Sequence, residues 1–127
     1  MWATYCYANL PRVVVTISGT IESDQDFKQF IQEWLALFEG DQPFSLEFDT
    51  INCGLINIKY AILMAYWIKR FKRRRFRNLQ FSKIIVANRS IIYLLRLIFF
   101  IERPIAPVEV VFIGLNGNTE KIERFTP

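Results

Sequence analysis

Short β-branched runs that alternate with helix-period segments predict an α/β fold with a largely parallel sheet. Residues 12–18 (RVVVTIS) and 108–113 (VEVVFI) are runs of the residue types that fit a pleated, half-buried surface. Between them Phe27, Phe30, Ile31, Trp34, Leu35 and Phe38 recur at spacings of three and four, the period of a helix with one apolar face. A length of 127 residues with 52% apolar content suits a single domain, residues 1–127, built on one core.

Taken in order, Thr4-Tyr5-Cys6-Tyr7 partners the first run as a strand, with Asn9-Leu10-Pro11 as the turn. Ser23 followed by Asp26 forms a capping box for the first helix, which Gly40 and Pro43 close. Residues 44–49 (FSLEFD) alternate apolar and polar, the strand period. A loop over residues 50–54 leads into a second helix from about Leu55 to Arg77. Residues 83–87 (KIIVA) read as a buried strand, and Ser90 caps a third helix over residues 91–102 that Pro104 and Pro107 stop. After the strand at 108–113, Asn116-Gly117 is a turn signal, and the tail to Phe125 pairs back as an edge strand. The expected fold is thus α/β, a mixed, mostly parallel sheet of about 4–6 strands carrying about three helices.

Composition narrows the chemistry. The chain has no histidine, which removes the commonest general base and metal ligand. Its two cysteines, Cys6 and Cys53, supply no metal-ligand spacing, so neither a metal nor another cofactor is expected. Two lone cysteines and a start (Met1-Trp2-Ala3-Thr4-Tyr5) without a basic and apolar leader pattern predict an intracellular, cytoplasmic protein with reduced thiols. Asp24 and Asp26 fall at a helix start and Glu47 and Asp49 in and at the end of a strand, where capping and loop polarity account for them. The Gly-X-X-Gly at residues 114–117 has no helix after it and is no phosphate loop. No enzyme activity is expected.

The net charge of +4 is segregated: residues 1–68 hold eight acids and three bases, whereas residues 69–77 hold seven bases and no acid. Those cations, Lys69, Arg70, Lys72, Arg73, Arg74, Arg75 and Arg77, exceed what a helix dipole needs and suit an anionic partner, phosphate or acidic lipid. The apolar stretch ahead of them, residues 58–68 (IKYAILMAYWI), is too short to span a bilayer, which takes roughly twenty residues, and reads as a core helix.

Three stretches, in order and over most of the chain, resemble the STAS family of anti-sigma-factor antagonists and sulfate-transporter tails. Residues 13–22 (VVVTISGTIE) look like its strand ending in Gly-X-hydrophobic-acid. Leu46-Glu47-Phe48-Asp49 with Asn52-Cys53-Gly54-Leu55 resemble the strand, loop and helix start that carry its Asp-Ser-Ser-Gly-Leu signature. Residues 85–90 (IVANRS) resemble its next strand and loop. The resemblance implies a non-catalytic interaction domain that docks a protein through Asp49, Thr50, Asn52, Cys53, Gly54 and Leu55. It also implies a phosphoacceptor at the loop: aligned on Gly54 that position holds Asn52, and aligned on Asp49 it holds Thr50. Two other readings stay open, a peripheral binder of acidic membrane or nucleic acid through residues 69–77, and a structural subunit of a large assembly.

Overall fold

The computed structural model describes residues 2–72 and 78–127. Along them run β1 (Ala3–Asn9), β2 (Arg12–Ile17), α1 (Asp24–Leu37), β3 (Phe44–Asp49), α2 (Ile58–Lys72), β4 (Leu79–Val86), α3 (Arg89–Ile101), β5 (Val108–Ile113) and β6 (Thr119–Phe125). The six strands form one sheet in chain order, β1-β2-β3-β4-β5-β6. Strands β2 to β5 run parallel, and β1 and β6 are antiparallel edges. The fold is α/β with a mixed, mostly parallel sheet, as the alternation of runs predicts.

Each β-α-β crossover moves one strand along in the same direction. Right-handed connections then place every helix on one face of the sheet, and burial agrees. Val13, Val15, Ile17, Leu46, Ile84, Val86, Val108 and Val110 face the helices and are buried. The alternate residues form the outer face, where apolar Val14, Ile85 and Val111 share the surface with charged side chains. The register there lines Glu47 up with Lys83, Lys83 with Glu109, and Glu109 with Arg124, a row of alternating charge across four strands. Arg12 and Glu47 lie 3.6 Å apart and Arg124 and Glu109 3.5 Å apart at its two ends.

The core between sheet and helices is rich in rings. Phe38 is fully buried and meets Trp34, Phe44 and Phe71 at centroid distances of 5.0, 5.3 and 4.7 Å. Such pairs are worth about 0.5–1.5 kcal/mol each beyond their burial. They lock α1 and α2 onto β3 at one end of the sheet. At the far edge Arg96 of α3 grips Glu123 of β6 with two nitrogens, Nε at 3.0 Å and Nη2 at 2.9 Å, which ties the last strand to the helix layer.

Several local expectations need correction. Ser23 occupies the N-cap of α1 but its hydroxyl makes no cap bond; instead the Asp26 carboxylate accepts the N–H of Glu22 at 3.0 Å. The cap of α3 is Asn88, whose Oδ1 accepts both the N–H and the hydroxyl of Ser90, each at 2.9 Å, so Ser90 lies inside the helix it was expected to cap. Strand β4 begins at Leu79, because residues 79–82 already alternate toward and away from the core around an irregularity in register with β3. Helix α2 starts at Ile58, three residues later than expected, and its expected end at Arg77 lies outside the described residues.

Candidate interaction surface

The loop after β3 is built by contacts to two other segments. Thr50 ends the strand by donating both its N–H, at 3.0 Å, and its hydroxyl, at 2.7 Å, to the carbonyl of Ile85 in β4. Asp49 turns the chain outward by accepting the N–H of Ile51 at 3.1 Å, a side-chain turn of the kind that Asp favours. The chain then crosses Gly19, the residue two beyond β2. The Gly19 N–H donates to the Asn52 carbonyl at 2.9 Å, and the Gly54 N–H donates to the Gly19 carbonyl at 2.8 Å. Cys53 and Gly19 thereby form an isolated parallel bridge.

Glycine is required at both ends of this clamp. Gly19 has φ +75°, a left-handed conformation that side chains disfavour. At Gly54 a Cβ would collide with Thr20 Oγ1 and press on the Gly19 backbone at 3.3 Å. The clamp holds the chain extended through Asn57, whose Oδ1 then accepts the N–H of Lys59 at 3.0 Å as α2 begins. Leu55 is therefore loop, not first helical turn, and no helix N-terminus sits at Asn52.

These bonds sort the sequence-predicted loop residues into two sets. Thr50 and Cys53 face inward, each 7% exposed. Burial pushes the Cys53 thiol up to about 11, so it stays protonated near neutrality. The Thr50 hydroxyl is committed to Ile85, a geometry that does not offer it to a kinase. Ile51, Asn52 and Leu55 point outward, with Leu55 71% exposed; Asp49 and Gly54 are partly buried between the sets.

From Leu55 the exposed apolar surface continues along α2. Its inner face buries Tyr60, Ala61, Ala65, Ile68 and Phe71. Its outer face carries Ile58, Ile62 and Tyr66, spaced four apart on one stripe and 57%, 50% and 55% exposed. Lys59 and Tyr60, at the foot of the helix, both reach Asp24 of α1, at 3.0 and 2.8 Å. The Tyr60 hydroxyl and then Lys59 hold the Asp24 carboxyl below its ordinary range. Helix faces beside the loop are expected from the sequence to take part in docking, but local periodicity does not say which residues of α2 are exposed. A helix apolar on both faces but packed on one side of a sheet must show its other face to something else, and that was the available signal.

The expected anion-binding set divides. Lys69 and Arg70 are exposed at the end of the stripe, Arg70 lying over the Trp67 ring at 5.4 Å. Lys72 is instead paired with Glu102 beyond α3 at 2.9 Å and is only partly exposed. Arg73, Arg74, Arg75 and Arg77 lie outside the described residues. Among the described residues no helix is long and apolar enough to cross a membrane, and no group of three His, Cys, Asp or Glu side chains is placed to hold a metal ion. The sheet order has no reversal, so it lacks the crevice at a switch point where open α/β sheets bind nucleotides. No family model, curated protein or solved structure matches the chain.

Proposed function

We propose that this is a non-catalytic, STAS-like interaction domain that docks a protein partner through the loop at residues 50–55 and the outer face of α2. One observation carries the reading: Ile62, Tyr66 and Ile58 expose an apolar stripe on α2, and Ile51 and Leu55 are exposed on the loop that leads into it. Rows of this kind, apolar and aromatic with a charged rim, supply the anchors of protein interfaces. The Gly19–Asn52–Gly54 clamp adds pre-organisation, since a loop already fixed loses little freedom on binding. Partner control through a phosphate on Thr50 is no part of the proposal, because the hydroxyl is inside.

A second reading is favoured by Lys69 and Arg70, which put exposed positive charge at one end of the same row. A helix with that pattern can lie on an acidic lipid surface. The two separate cleanly. Retention of a protein partner from native lysate, unchanged between low and high salt and lost in Ile62→Glu/Tyr66→Glu, supports docking. Retention on anionic vesicles that disappears at high salt and in Lys69→Gln/Arg70→Gln, with no protein retained, overturns it in favour of the membrane.

A further inference from the structure

Between the sheet and the helix layer lies a cavity of about 170 Å³. Engineered apolar cavities of about 150 Å³ stay dry and take up small apolar molecules. This one runs from Trp2, beside β1, past Trp34 and Met64 to Ala106 and Val108 at β5. Four strand spacings separate those ends, roughly 19 Å, so apolar side chains from most of the sheet's width contribute to its wall. Among the described residues, its wall contains no charged side chain. It does contain an unmet donor: Trp2 is 9% exposed, and its Nε1 is buried without a hydrogen-bond partner among the described residues.

We propose that the cavity is a binding site for a neutral aliphatic molecule carrying one carbonyl oxygen, which accepts the hydrogen bond that Trp2 Nε1 offers. The apolar wall decides the skeleton, since a hydrocarbon chain meets it without leaving polar groups unpaired. The missing charge decides the head group, since a carboxylate there would be buried with no counter-ion. The orphan donor decides the oxygen, because buried N–H groups are almost always paired. A water molecule is a poor substitute. It needs two to four polar partners, and the wall is almost wholly apolar, with the Phe30 ring edge-on to Trp2 at 5.6 Å. Ser82, buried on the helix-facing side of β4, sets a hydroxyl farther along the wall. This site is separate from the α2 stripe and does not depend on the docking role.

The test is a titration of ¹⁵N-labelled protein with octan-2-one, octane and octanoate, read at the Trp2, Trp34 and Trp67 indole N–H signals and in the melting temperature. Octan-2-one should give a saturable one-to-one downfield shift at Trp2 and raise the melting temperature with concentration. It should bind roughly fivefold to tenfold more tightly than octane, the gain of one hydrogen bond, and octanoate should bind most weakly at neutral pH. Trp2→Phe should abolish the preference for ketone over alkane, and Ala61→Leu, which fills the cavity, should weaken every probe. Absence of a saturable shift, a shift at Trp67 alone, tighter binding of octanoate, or an unchanged ketone preference in folded Trp2→Phe would each overturn the proposal. Should either variant fail to fold, the three-probe titration of the parent decides alone.

Discussion

Two residues of the loop, buried Cys53 and partly buried Gly54, set how the surface above them is held. Substituting Gly54 by Ala forces Thr20 aside and crowds the Gly19 backbone, and should lower stability by about 1–2 kcal/mol. Gly40→Ala is the control: a Cβ there meets nothing within 4 Å, so its melting temperature should stay within a degree or two of the parent, about 0.5 kcal/mol. Cys53 makes a prediction in alkali. Its folded pKa is raised from 9.0 to about 11, so the neutral thiol binds its proton more tightly folded than unfolded. Its contribution is complete below pH 9 and is lost as the pH rises to about 11. Tyr5, pushed up by burial and then by Glu33 and Tyr7, adds a loss of the same sign. Urea midpoints should therefore fall over that window, less steeply in Cys53→Ala. At pH 8 an alkylating reagent should reach exposed Cys6 well before Cys53.

At the scale of elements, the outer face of the sheet and the outer face of α2 are opposites. Lys83 stands between Glu47 and Glu109 in the cross-strand register. Lys83→Glu would align three carboxylates and should cost about 1 kcal/mol, a loss that added salt reduces. Ile62→Glu/Tyr66→Glu should leave the melting temperature nearly unchanged, because neither residue is in the core; a large drop would make the stripe structural. The contrast also explains what the sequence could and could not reveal. Strand alternation at residues 44–49 and the apolar spacing of α1 depend on local periodicity, and both elements stand where the periodicity puts them. The start of α2 does not. Leu55 and Ile56 suit a helix, but two backbone bonds from Gly19 to Asn52 and Gly54, and a third from Thr50 to Ile85, hold the preceding chain in a loop, and those partners are distant in sequence. Asn88 in place of Ser90 is a subtler miss, since both are good caps and only geometry chooses.

For the molecule as a whole, chain-order strands and same-handed crossovers leave a layered body with two unlike surfaces, a sheet face crossed by a charged row and a helix layer that shows the apolar stripe of α2. The alternation of elements made the fold class legible. Which helix face remained open was not, because that depends on all three helices sharing one side of the sheet. The docking claim rests on this asymmetry, and site-specific photo-crosslinking in native lysate tests it most directly. A photoreactive residue would replace Ile62 on α2 or, as the opposite-face control, Thr16 on β2, whose side chain is exposed. The account predicts one discrete protein adduct from position 62, equal at low and high salt and absent from position 16. Adducts of equal yield from both positions, or adducts to lipid alone from position 62, would contradict it.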